Sequence, residues 1–123
     1  MKTVLVIEDN KDNMELITFI LENNGYKTIK AETGQQGLDI AREARPEFII
    51  LDIQLPDIDG LEVVQKLRSS EIDGTIPIIA MTSFAMVGDR EKMMAAGCNG
   101  YIEKPISPEK VMNQIRDIIG GES

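Results

Sequence analysis

Five side chains with chemistry to offer stand where short apolar runs end. Glu8 and Asp9 follow Thr3-Val4-Leu5-Val6-Ile7, Asp52 follows Phe48-Ile49-Ile50-Leu51, Thr82 follows Ile78-Ile79-Ala80-Met81, and Lys104 follows Tyr101-Ile102-Glu103. A carboxylate can attack phosphorus and form an acyl phosphate. Asp52 is the best placed to do so, at the end of the central-looking run. A phosphoryl donor and a carboxylate are both negative, so the attack needs a cation. Mg²⁺, or Mn²⁺ in its place, takes one or two carboxylates together with waters and phosphate oxygens. Glu8 or Asp9, with Asp52, can supply those carboxylates. The backbone carbonyl of Gln54 can add a neutral ligand where the chain turns. Lys104 would pair with a phosphoryl oxygen as a point charge, and the Thr82 hydroxyl would donate to another. Such catalysis is mostly positioning and electrostatics. Without metal the carboxylates repel one another, so at least one carboxyl pKa should rise, with Lys104 compensating in part.

These groups meet only if the elements carrying them run parallel. The pattern predicts strands near 3–8, 27–31, 48–52, 77–82 and 99–103. The first, third and fourth are near-continuous apolar runs, as in parallel strands covered on both faces. Between them lie helical patterns. Met14, Ile17 and Leu21 share a face over 11–24, and Gly25 stops that helix. Thr33 with Gln36 reads as a capping box for a second helix that turns Gly37, Leu38 and Ala41 inward. Asp59 with Glu62 reads as another, for a third helix with Val63, Val64 and Leu67 inward. The stretch 86–96 carries Met93 and Met94 before Gly97. Ser107 caps a last helix with Pro108 at its first position and Val111, Ile115, Ile118 and Ile119 on one face. The segment Ser69–Thr75 reads as a solvated loop. Five strand–helix units predict an α/β fold, a single doubly wound five-stranded parallel sheet whose ligand edge lies beyond the strand C-termini.

Composition narrows the function classes. The chain has 123 residues, enough for one domain with a substantial core. The expectation is one domain over 1–123 with no output domain. A formal charge of −8 argues against non-specific nucleic-acid binding and favours a protein or a cation as partner. No apolar run reaches the ~20 residues of a membrane helix and no signal peptide is evident, so the expectation is a cytoplasmic protein. The single Cys98 excludes an internal disulfide and reads as a small buried hydrophobe. With no histidine in the sequence, no His base, catalytic triad or phosphohistidine can come from this chain.

The acid pair Glu8-Asp9, Asp52 within Leu51-Asp52-Ile53-Gln54-Leu55-Pro56-Asp57-Ile58-Asp59-Gly60, Thr82 in Ala80-Met81-Thr82-Ser83, and Lys104-Pro105 resemble the receiver domain of two-component response regulators (the CheY-like superfamily) over essentially the whole length. Phe84-Ala85-Met86, Gly88-Asp89, Ala96-Gly97-Cys98 and Lys104-Pro105-Ile106-Ser107 are most similar to the single-domain DivK-like group. The resemblance implies a strand order of 2-1-3-4-5 and an aspartyl phosphate at Asp52. It implies Mg²⁺ at Glu8, Asp9, Asp52 and the Gln54 carbonyl, and a cis Lys104-Pro105 peptide. It also implies a switch in which Thr82 moves toward the phosphate and Tyr101 turns inward. The fourth helix, fifth strand and fifth helix would be the readout face, including Met86, Val87, Met93, Tyr101 and Ile106. The first helix near Asn10, Asn13 and Met14 would be the docking side. Partners would be a sensor histidine kinase or a histidine phosphotransfer protein, with a further downstream protein target; the chain would be a monomer or weak homodimer. It would be no enzyme beyond its own phosphorylation and dephosphorylation. Two departures are small: Glu8 stands where Asp is common, and Ser83 where Ala is common.

Each residue also has a plainer reading. Glu8 and Asp9 could cap the first helix, Asp52 could make a turn, Thr82 could simply end a strand, and Lys104 could be a solvated charge. It is their conjunction at separate strand ends that points to a site. Within the signalling reading, a free-standing regulator and a relay intermediate both remain open. A haloacid-dehalogenase-type phosphatase would want a second Asp at position 54, where Gln54 cannot protonate a leaving group. A flavodoxin-like FMN protein would want a Ser/Thr/Gly-rich loop where Glu8-Asp9-Asn10-Lys11-Asp12 would repel phosphate.

Overall fold

The computed structural model of the chain describes residues 2–69, 76–83 and 88–120. Most of the loop expected at 69–75, and Phe84, Ala85, Met86 and Val87, lie outside the described residues. The elements run β1 (Thr3–Ile7), α1 (Lys11–Asn23), β2 (Lys27–Ala31), α2 (Gly34–Ala44), β3 (Phe48–Asp52), α3 (Gly60–Ser69), β4 (Ile78–Thr82), α4 (Asp89–Ala96), β5 (Gly100–Glu103) and α5 (Val111–Ile118). The strands form one parallel sheet in the order β2-β1-β3-β4-β5.

Alternation along the strands divides the core into two layers. Val4, Val6, Phe48, Ile50, Ile79, Met81 and Ile102 face α1 and α5, which contribute Met14, Ile17, Leu21, Val111 and Ile115. Leu5, Ile7, Ile49, Leu51, Ile78 and Ala80 face the other way, against Leu38 and Ala41 of α2, Val63, Val64 and Leu67 of α3, and Met93 of α4. Both layers are built from buried apolar side chains, which is why β1, β3 and β4 read as unbroken apolar runs.

Helix boundaries follow local chemistry, with three departures from the sequence reading. Gly25 has φ of 90°, the left-handed turn that glycine accepts without steric cost. Thr33 caps α2 as expected, its Oγ1 accepting from Gln36 N at 3.1 Å. The reciprocal bond is displaced by one residue, however: Gln36 Oε1 accepts from Glu32 N at 2.8 Å. At α3, Asp59 Oδ1 accepts from Leu61 N at 3.0 Å, but Glu62 turns to solvent and pairs with Lys66 at 3.3 Å, so no reciprocal box forms. At the C-terminal end, residues after Ser107 make a turn closed by Lys110 N and Val111 N donating to Ser107 O, and α5 begins only at Val111.

Candidate functional site

The edge beyond the strand C-termini carries a cleft of about 430 Å³ lined by Glu8, Asp9, Asn10, Lys11, Asn13, Asp52, Gln54, Ser83 and Lys104. Glu8, Asp9 and Asp52 each offer a carboxylate oxygen, and these oxygens lie within 4.8 Å of one another. Lys104 Nζ sits 2.8 Å from Glu8 Oε1 and 3.3 Å from Asp52 Oδ2. All three of these side chains are nearly buried, at 7% exposure for Lys104, 6% for Glu8 and 5% for Asp52. Lys104 is therefore no solvated surface charge, whereas Asp52 does make the local turn bond of its plainer reading while also joining the cluster. Asn10, not an acid, caps α1 by accepting from Asn13 N at 2.9 Å. Glu8 Oε2 is held by the Asn10 N–H at 3.1 Å, and Asp52 Oδ1 by the Gln54 N–H at 3.0 Å.

Crowding shows in the electrostatics. Burial, followed by its hydrogen bond to Asp52, raises the Glu8 carboxyl to about 7. Lys104 works in the opposite direction without cancelling the shift. An all-oxygen donor set that carries excess negative charge fits a hard divalent cation. Glu8, Asp9 and Asp52 are the groups that could hold it, and Gln54 lines the same cleft.

Thr82 ends β4 at the same sheet edge but opens on the neighbouring space. It is fully buried and lines a neighbouring cavity of about 290 Å³ with Ile53, Gln54, Asp59, Leu61, Asp89, Lys92 and Met93. The reason is strand parity. Glu8, Asp52 and Lys104 continue the side of Val6, Ile50 and Ile102, whereas Thr82 continues that of Ala80, toward α3 and α4. Tyr101 pairs with Ala80 in the sheet and packs on that same layer. Its hydroxyl is buried without a hydrogen-bond partner among the described residues, and its pKa is raised chiefly by burial. Gln54 joins the two spaces, since its Oε1 accepts from Ser83 N at 3.3 Å.

Two residues named for surface roles belong to the core, in keeping with the apolar face that Met14 shares with Ile17 and Leu21 and with a packing reading of Met93. Met93, assigned to the readout face, is 4% exposed, and Met94 beside it is the exposed one at 37%. Met14, assigned to the docking side, is 6% exposed because α1 turns it onto the sheet. Ile106 is half-buried against the α1–α5 layer. The Lys104-Pro105 peptide is cis. Asp57 was not singled out in the sequence, yet it makes a bidentate contact to α2: its Oδ1 accepts from Gly34 N at 2.8 Å and its Oδ2 from Gln35 N at 3.0 Å.

Residues 4–116 match the family described as response regulator receiver domain. The chain belongs to that family. It is 44% identical over 119 residues to the polar-differentiation response regulator DivK of Brucella anthropi, covering 97% of each chain. Among solved structures, the chemotaxis protein CheY4 of Vibrio cholerae matches with a TM-score of 0.90 at 26% identity, over 96% of this chain and 98% of that one. The receiver domain of a sensor histidine kinase from Pseudomonas aeruginosa, with a magnesium ion coordinated in its active-site cleft, matches with a TM-score of 0.87 at 33% identity. That match covers 97% of this chain and 98% of the other. Receiver domains bind Mg²⁺ at an acidic pocket, and this chain has an acidic cluster of Glu8, Asp9 and Asp52. As a class they serve two-component signalling, interact with histidine kinases or phosphotransfer proteins, and are not generally enzymes in their own right. No described helix of this receiver is long and apolar enough to cross a membrane.

Proposed function

We propose that this receiver accepts a phosphoryl group on Asp52 from the phosphohistidine of a sensor kinase or histidine phosphotransfer protein. The observation that carries the reading is Asp52 itself: a nearly buried carboxylate at a strand end, 3.3 Å from Lys104 Nζ and inside a cluster of acids. An Asp52 carboxylate oxygen attacks phosphorus, the P–N bond to the donor imidazole breaks, and the imidazole leaves and takes up a proton. The phosphohistidine must lie outside these 123 residues, because they hold no histidine.

Each neighbouring group has a stated task. Glu8, Asp9, Asp52 and the Gln54 carbonyl would hold Mg²⁺ (or Mn²⁺). When bound, the ion supplies positive charge between the carboxylates and the phosphoryl oxygens. Lys104 lies within reach of Asp52 and would exchange its pairing with Glu8 for a phosphoryl oxygen. Thr82 starts on the far side of the sheet plane, so its hydroxyl must rotate or shift to reach a group on Asp52. That movement would open room next to Tyr101, which packs on the same layer and has an unsatisfied hydroxyl among the described residues. Thr82 and Tyr101 thus supply a bistable pair through which charge at Asp52 is read at the α4–β5–α5 face. Beyond its own phosphorylation and dephosphorylation the chain would turn over no substrate.

Intact mass after incubation with acetyl phosphate, with and without Mg²⁺, tests the reading. A Mg²⁺-dependent phosphoryl adduct is expected on the wild type and not on Asp52→Asn. An adduct that persists in Asp52→Asn would place the acceptor elsewhere.

A further inference from the structure

We infer that Asp57 is a positioning residue for the cation site, fixing the β3–α3 loop by clamping it to the N-terminus of α2. This rests on the proposed reading that the Gln54 carbonyl is a cation ligand.

Residues 53–59 connect Asp52 to α3. Several bonds of this loop are internal or reach the element next to it. Gln54 N donates to Asp52 Oδ1, Gly60 N donates to Ile53 O at 3.2 Å, and Gln54 bridges Asp59. These bonds set the shape of the loop but leave its placement against the rest of the molecule open. Placement comes from contacts with more distant elements. On the β4 side, Ile53 N donates to Met81 O at 3.1 Å, and Gln54 Oε1 accepts from Ser83 N at a long 3.3 Å from an exposed side chain. On the α2 side the contact is stronger. Asp57 takes two successive backbone N–H groups, at 2.8 and 3.0 Å, that α2 itself cannot satisfy. A carboxylate there also meets the positive end of the helix dipole. The Gly34 N–H is the main cause that holds the Asp57 carboxyl below its usual range.

The packing around the clamp is close. A Cβ on Gly34 would lie 3.2 Å from Ile58 Cβ and 3.3 Å from Asp57 Oδ1, so the loop rests directly on the start of the helix. With the clamp open, the segment that carries Gln54 keeps its internal turn but loses its anchor on the α2 side. A carbonyl ligand displaced by a fraction of an ångström serves a small hard cation poorly, because Mg²⁺ demands near-ideal octahedral geometry.

The control lies on the same helix. Thr33 Oγ1 caps α2 at Gln36 N and makes no hydrogen bond to the loop among the described residues, so Thr33→Ala weakens the helix start and leaves the Asp57 clamp in place. Mg²⁺ titration by calorimetry, with hydrogen exchange at the Gly34 and Gln35 amides, separates the cases. Asp57→Ala is expected to weaken Mg²⁺ binding by about tenfold, the lower end for loss of an outer-shell support. Asp57→Asn, which keeps one acceptor oxygen, should fall between. Thr33→Ala should lower the melting temperature and keep wild-type Mg²⁺ affinity. Wild-type affinity in Asp57→Ala, or equal loss in Thr33→Ala, overturns the positioning role while leaving the cation site in place. Absence of Mg²⁺ binding to the wild type overturns both the positioning role and the cation reading on which it rests.

Discussion

Lys104 makes its shorter ion pair with Glu8, at 2.8 Å, and its longer one with Asp52, at 3.3 Å. The lysine thus stands in for positive charge that the acids otherwise lack, and Glu8 holds it. Glu8 is nevertheless the group whose carboxyl rises, from 4.5 to about 7. Between those values the native chain binds more protons at this position than the unfolded chain does. The stability that Glu8 contributes is therefore fully present below 4.5 and lost as pH rises through about 7. Metal-free wild type should lose melting temperature across this window relative to Glu8→Gln, by on the order of 5 °C. Parallel melting profiles for the two proteins would show that Glu8 titrates normally.

Removing the lysine should have the opposite dependence on metal. Lys104 is the cation in contact with two nearly buried carboxylates, and Lys104→Met leaves them facing each other. Breaking a buried pair from one side costs about 3 kcal/mol. Saturating Mg²⁺ should recover most of that loss, since it replaces the missing charge. Denaturant melts of the variant with EDTA and with Mg²⁺ measure the difference. An equal deficit in both would mean that Lys104 supports the fold by packing and not by charge.

Much of this site is legible along the chain, because strand ends announce themselves as apolar runs meeting a polar residue. Glu8, Asp52 and Lys104 came together as their positions implied. Thr82 ends its strand at the same edge but on the other face, since sharing a sheet edge does not mean sharing a sheet face. Counting residues from Ala80 rather than from Met81 places Thr82 with α3 and α4, and that parity becomes usable only once the layers are known. Asp57 was illegible for another reason. It caps a helix 23 residues earlier in sequence, so no local pattern marks it. Met14 and Met93 are core residues, as the face Met14 shares with Ile17 and Leu21 and a packing reading of the methionines imply, so periodicity served better here than their assignment to surface faces.

Arg68 is a second long-range contact with no local signature, and it lies at the opposite end of the strands from the acids. Its Nε and Nη2 donate to Gly97 O at 3.1 and 2.8 Å, Nη1 donates to Ile76 O at 2.8 Å, and Nη2 also donates to Asn99 Oδ1 at 2.8 Å. Asn99 Oδ1 in turn accepts from Ile78 N at 2.9 Å, so one guanidinium ties α3 to the starts of β4 and β5. Arg68→Lys cannot reproduce a planar fork that serves several acceptors. Both Arg68→Lys and Arg68→Ala should cost about 2 kcal/mol in urea unfolding. Mg²⁺ affinity should not change, because the cleft is remote. Weaker Mg²⁺ binding in either variant would mean that the two ends of the sheet are coupled.

Cys98 offers a direct reading of how firmly this α4–β5 junction is closed. It is 5% exposed, and burial raises its thiol to about 12, with Arg68 pulling the other way. A thiol reacts as the thiolate, so the native protein should resist iodoacetamide at mildly alkaline pH while the unfolded chain is alkylated quickly. Labelling then proceeds only through opening, and its rate should follow the opening equilibrium. In Arg68→Ala, which frees Gly97 beside Cys98, labelling should accelerate by about tenfold or more, as a change of ~1.4 kcal/mol in opening requires. The lost Arg68 charge would by itself raise the thiol further and slow labelling, so acceleration can come only from easier opening. Mass spectrometry of timed samples follows both proteins, and equal labelling rates would mean that the junction opens without breaking the Arg68 contacts.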